Sequence, residues 1–106
     1  DNIEKTRTVY RLGRMNVSRT TDAQYWSPEN PFEAKSISDY ARKYGIPIEN
    51  LQGEDTFFEV GRIMDDVPYI TREAPAFGAN EGGAVEVVVV KGGVKLESFS
   101  TIKLNK

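Results

Sequence analysis

Gly82-Gly83-Ala84-Val85-Glu86-Val87-Val88-Val89-Val90 is the stretch on which the fold turns. A run this rich in valine predicts a strand covered on both faces. It carries one carboxylate, Glu86, close behind a double glycine. Side chains alternate along a strand, so Glu86 shares a face with Ala84, Val88 and Val90. A buried carboxylate is costly alone and needs either a partner or the rim of a cleft. The glycines let a loop, or a ligand, approach the backbone. The pattern points to a site, with an edge-facing or salt-bridged glutamate as the alternative.

Downstream, Lys91-Gly92-Gly93-Val94 predicts a turn, and the glycine pair suits a hairpin to a last strand near Val94 to Leu104. Upstream, Ala74 to Gly83 reads as a long loop with Pro75 and three glycines. Tyr69-Ile70-Thr71 is a short strand candidate, preceded by a break at Asp65-Asp66-Val67-Pro68. Thr56-Phe57-Phe58-Glu59-Val60 starts a strand that runs towards Met64. The best helix is Ser36 to Tyr44, with Ile37, Tyr40, Ala41 and Tyr44 at helical spacing, Gly45 as its stop and Pro47 beyond. Asn30-Pro31 marks a turn, and Gln24 to Ser27 a short strand stopped by Pro28. Gly13 to Asp22 is polar and reads as a loop. Thr6 to Leu12 alternates as a first strand, with Val9 and Arg11 on one face and Thr8, Tyr10 and Leu12 on the other. The expectation is an α+β domain of mostly antiparallel sheet with one main helix.

Composition narrows the chemistry. A chain of 106 residues with 39% hydrophobic and 28% charged side chains has the make-up of one globular domain. It begins at Asp1 rather than Met, which fits a piece excised from a longer protein. It has no apolar run long enough for a membrane span. There is no cysteine and no histidine. That excludes the common zinc sites, Ser-His-Asp and Cys-His hydrolases, and histidine-dependent ribonuclease chemistry. An enzyme here must work with Arg, Lys, Asp, Glu, Ser, Thr and Tyr. The net charge of -2 and pI near 5.2 argue against general nucleic-acid binding. Charge is uneven, however. Residues 5–19 hold Lys5, Arg7, Arg11, Arg14 and Arg19 without an acid, while residues 46–106 hold ten acidic against six basic side chains. The basic segment is either a solvated edge or a site for a phosphate-bearing ligand. Asp65-Asp66 is a weak calcium signal and reads as a solvated turn. Arg62 and Arg72 are expected to pair with the acids of the second half.

Four pieces then occur in order: Thr8-Val9-Tyr10-Arg11-Leu12-Gly13, Tyr25-Trp26-Ser27-Pro28-Glu29-Asn30-Pro31-Phe32, Ala74-Pro75-Ala76-Phe77-Gly78, and Gly82-Gly83-Ala84-Val85-Glu86. Together, from about Arg7 to Val90, they resemble the small NAD-consuming toxin domains at the C-termini of bacterial polymorphic toxins. These include Rhs and contact-dependent inhibition proteins. The resemblance is both to ADP-ribosyltransferases and to necrotizing-toxin NAD glycohydrolases. It implies an ADP-ribosyltransferase-like fold with split sheets around an NAD cleft, NAD as substrate and no metal. By position it assigns Arg11 to the NAD phosphate or nicotinamide-side ribose, Ser27 to bracing the site and Glu86 to the nicotinamide ribose. Tyr10, Trp26 and Phe77 would contact NAD. It further implies delivery into the cytoplasm of target bacteria, a macromolecular acceptor (elongation factor Tu is one candidate), a cognate immunity protein and no membrane.

The chemistry agrees with the residues present. Breaking the nicotinamide–ribose bond develops oxocarbenium-like charge that a carboxylate stabilises, and no histidine, cysteine or metal is required. Arginine-directed transferases usually carry Glu or Gln two residues before the catalytic glutamate, where this chain has Ala84. Necrotizing-toxin-like glycohydrolases tend to carry Gln where this chain has Glu86, which favours transfer over hydrolysis. Ser27 is equally a turn residue, with Ser18, Thr20 and Thr21 as rivals. Trp26 and Tyr25 are core or stacking residues, and Phe77 a cover for the ligand or an anchor for its loop. Outside this class stand a non-catalytic interaction module and, least favoured, a metal-independent nuclease.

Overall fold

In the computed structural model, residues 2–14, 25–44, 46, 56–74 and 82–102 are described. The valine stretch forms β5 (Val85–Val89), and its alternation sorts its side chains as a strand requires. Val87 and Val89 are fully buried, Glu86 nearly so, and Val88 half-buried. Each buried valine contributes roughly 1.5–3 kcal/mol. The expected cover on both faces is thus close over Val87 and Val89 but open at Val85, and partial on the opposite face, where Glu86 lies.

In chain order the elements are α1 (Asn2–Thr6), β1 (Thr8–Arg14), β2 (Tyr25–Trp26), a 3-10 turn (Pro31–Glu33), α2 (Ile37–Tyr44), β3 (Thr56–Ile63), β4 (Tyr69–Glu73), β5 and β6 (Val94–Ile102). They build two antiparallel three-stranded sheets, ordered β1-β3-β6 and β2-β5-β4. The expected α+β class is therefore seen, as two small sheets and one main helix. Among the described residues one isolated bridge links the sheets, where Tyr10 and Ser27 exchange both backbone hydrogen bonds, at 2.8 and 2.9 Å.

The hairpin expected at Gly92-Gly93 is not what forms. The turn itself is present, with Gly92 at φ 83° and Gly93 N–H donating to Val90 O at 2.9 Å. The strands on either side then part, β5 into one sheet and β6 into the other. Packing explains this. A Cβ on Gly93 would stand 2.7 Å from Cγ1 of both Val67 and Val89, so the chain here lies flat on the core and passes between the sheets. β6 instead pairs with β3, with a bulge at Val60/Gly61.

Two hydrophobic clusters sit on the two faces of β1. Val9 packs between the sheets with Ile3, Trp26, Ile63, Val87 and Val89. Leu12 packs under α2 with Tyr40 and Ala41, edged by Ile37, Tyr44, Ile46 and Phe58. α2 starts where Ser36 Oγ accepts from Asp39 N–H at 2.9 Å, an N-cap, and carries Arg42 and Lys43 in its last turn. The expected stop at Gly45 lies outside the described residues. The radius of gyration, 13.0 Å, is that of a compact chain of this size. No described helix is long and apolar enough to cross a membrane.

α1 was not foreseen, because five residues give no readable period. Its Ile3 is buried in the core, and the chain leaves it through Arg7 at φ 57°, an unusual conformation for a side-chain-bearing residue. Arg7 offsets that strain. Its guanidinium donates to the carbonyls of Ile63 (3.1 Å), Met64 (2.8 Å) and Val67 (2.5 Å) and lies over the Tyr69 ring.

Candidate functional site

Strand register explains how distant sequence segments converge. Arg72 on β4 stands opposite Glu86 on β5. Tyr25 and Trp26 on β2 face Val88 and Val87, so one further step brings Ser27 level with Glu86. Ser27 in turn pairs with Tyr10, beside Arg11. A row thus runs across both sheets: Arg72, Glu86, Ser27, Tyr10. Above it lies a cleft of about 140 Å³ lined by Tyr10, Arg11, Leu12, Tyr25, Trp26, Ser27, Tyr40, Tyr44, Ile46 and Glu86. Arg11, Ser27 and Glu86, expected as site residues, all line it.

Glu86 both lines the cleft and has a partner. It is 8% exposed, and Arg72 Nε donates to its Oε2 at 2.5 Å. The Arg72 guanidinium is half exposed and lies 4.8 Å from the centre of the Tyr25 ring. Hydrogen bonding to Glu86 raises the Arg72 pKa above its ordinary value.

Arg11 is held from below. Its Cζ lies 5.4 Å from the centre of the Trp26 ring and 5.2 Å from that of Phe57, and Nη1 is 3.4 Å from Glu59 Oε1. Glu59 stands opposite Arg11 in the β1/β3 register and is wholly buried. Neither of its oxygens has a hydrogen bond among the described residues. Desolvation lowers the Arg11 pKa and raises that of Glu59, outweighing their mutual attraction in both. This is a pair whose burial costs more than its Coulomb energy returns.

Ser27 is buried and its hydroxyl donates to the Glu29 carbonyl at 2.5 Å, closing the turn at Pro28. The same hydroxyl interacts with Tyr40 and Tyr44, whose rings are 4.6 Å apart at the foot of the cleft. Tyr44 also donates to Glu29 Oε1 at 3.3 Å. Burial pushes both phenols far above their usual range, so they remain protonated donors. Ser27 is therefore a turn residue and a cleft residue at once.

The aromatic expectations divide. Trp26 is 2% exposed and belongs to the core while lining the cleft. Tyr25 is half exposed under Arg72. Tyr10 stacks on Phe58 at 6.3 Å. Phe77, Ser18, Thr20 and Thr21 lie outside the described residues. Within the basic N-terminal segment Arg7 is turned onto backbone carbonyls and Arg11 faces Glu59, while the Arg14 side chain and Arg19 lie outside the described residues. Arg62 bonds Asp65 at the surface, at 2.8 Å. Among the described residues no group of three or more acidic side chains is arranged to hold a metal.

Compared with protein families, curated proteins and solved structures, the chain finds no match. The site must be judged on its own geometry. Sequence reasoning missed Glu59, Tyr40 and Tyr44 as site residues; it expected Arg72 to pair with an acid of the second half, and that acid is Glu86. Tyr40 and Tyr44 were visible only as a helix face. Glu59 alternates with Phe57, Gly61 and Ile63, and that inward set was the available signal.

Proposed function

We propose that the cleft binds the nicotinamide end of NAD and cleaves the nicotinamide–ribose bond, as the resemblance to ADP-ribosyltransferase-like toxin domains implies. The observation that carries this reading is the convergence of Arg11, Ser27 and Glu86, from three separate segments, on one cleft where two split sheets meet. In this reading the Glu86 carboxylate faces the ribose and stabilises the cationic sugar as the C1′–N bond breaks. Nicotinamide leaves with the bonding electrons. An acceptor nucleophile then forms the new bond at C1′ and loses its proton. The protonated Tyr40 and Tyr44 hydroxyls hold the Ser27 turn, while Trp26 and Ile46 exclude water. At about 140 Å³ the cleft suits one end of a dinucleotide, since whole drug-sized ligands occupy roughly 300–1,000 Å³. The acceptor in this reading is a macromolecule of a target bacterium, elongation factor Tu being the first candidate, and the producing cell would need an immunity protein.

A second reading is favoured by one observation, the Arg72–Glu86 pair, which also suits a structural carboxylate in a non-catalytic binding module. Incubation with NAD labelled on the adenylate separates the readings. Nicotinamide release with label on a discrete macromolecule from bacterial extract is the expected result. Free ADP-ribose formed equally with and without extract would make the protein an NAD glycohydrolase. No release by folded protein would leave the binding module.

A further inference from the structure

We infer that Arg72, rather than Arg11, binds the phosphate next to the nicotinamide ribose, and that in doing so it frees the Glu86 carboxylate for the sugar. The inference rests on the NAD reading and adds the residue that recognises the anionic half of the ligand.

The other described arginines of this region are engaged inward. Arg7 is held by three carbonyls, and Arg11 lies over Trp26 and Phe57 against the buried Glu59. Arg72 differs from both. It touches Glu86 through Nε alone, lies over Tyr25, and is 48% exposed. Its terminal amino groups have no hydrogen bond among the described residues. A guanidinium held by its inner nitrogen and open at its outer edge presents the fork that grips phosphate oxygens in pairs.

The charges around the cleft agree. Beyond Tyr10 and Ser27 the next cavity, about 490 Å³, is lined by Glu29 and Glu33 with Thr6, Thr8 and Asn30. Glu29 there is paired with Lys43 at 3.2 Å, which leaves Glu33 to oppose a pyrophosphate, whereas Arg72 offers the open outer edge of its guanidinium. The ligand's first phosphate sits on the 5′ carbon of the ribose that Glu86 would face, one sugar away from its hydroxyls. A long, half-exposed arginine already in contact with Glu86 spans that gap. Arg72 neutralises Glu86. An incoming phosphate competes for the same cation, and the carboxylate is released where sugar charge will develop.

The test is calorimetric titration of wild type, Arg72→Gln and Arg72→Lys with NAD, with nicotinamide riboside, which lacks phosphate, and with inorganic pyrophosphate. Arg72→Gln should weaken NAD and pyrophosphate about 10- to 100-fold, the value of one or two hydrogen bonds to a charged group. Nicotinamide riboside should change less than about twofold, and Arg72→Lys should fall between. Equal weakening of NAD and nicotinamide riboside would reduce Arg72 to a support for Glu86 and overturn the inference. Unchanged NAD binding would overturn it too, with the NAD reading intact. Wild type that binds neither NAD nor the riboside would remove the NAD reading, and Arg72's role with it.

Discussion

Glu59 and Arg11 form a costly contact, two opposite charges set under the cleft with desolvation dominating both. Removing one partner leaves the other buried without compensation, so Glu59→Leu or Arg11→Met alone should destabilise by about 3–5 kcal/mol. The double variant Arg11→Met/Glu59→Leu should recover most of that loss in a chemical-denaturation cycle. Additive losses would show that the two do not act as a pair. The pH dependence has a definite sign. The folded-state pKa of Glu59 is raised, so its contribution to stability is fully present below its ordinary pKa and is lost as pH rises through the raised value. Against Glu59→Gln, wild type should therefore gain in melting temperature as pH falls from 7 towards 4. A conventional salt bridge would show the opposite trend. Glu86 was legible in the sequence because a lone carboxylate interrupts a valine run behind two glycines. Glu59 was not, because its meaning depends on the β1/β3 register, which brings it opposite Arg11 across 47 intervening positions.

At the scale of elements, alternation and turn chemistry located most of the fold. β1, β3, β5, β6 and α2 lie close to their expected positions, and the Tyr40/Ala41 face of α2 follows from helical spacing. The pairing of β5 with β6 was misread, because a tight glycine turn is the local signal of a hairpin whether or not the strands stay together. Close packing at Gly93 decided the outcome, and it can be tested. Gly93→Ala puts a methyl against the short, β-branched side chains of Val67 and Val89 and should cost about 1–3 kcal/mol by denaturant unfolding. Gly92→Ala meets no neighbour within 4 Å and should cost only the strain of its positive φ, about 1 kcal/mol. Equal costs would mean that Gly93 serves only to permit the turn.

At the scale of the whole molecule, one hydrogen-bonded pair and one shared core join two sheets, and the candidate site lies on that seam. The resemblance implied split sheets about a cleft and, by position, Arg11, Ser27 and Glu86 beside it, but the Tyr10–Ser27 bridge that makes the seam has no signal of its own in the sequence. The central claim is that Glu86 stabilises a ribosyl cation there. The most direct test is nicotinamide release from NAD by wild type and Glu86→Gln, with the thermal midpoint of each measured on the same preparation. The amide keeps the shape and removes the charge, so turnover should fall about 10²–10³-fold, roughly 3–4 kcal/mol of transition-state stabilisation. The midpoint should move by only a few degrees, because the partner Arg72 is half exposed and solvent-screened. Full turnover in a Glu86→Gln protein that melts much earlier would contradict the claim and make the carboxylate a structural partner of Arg72.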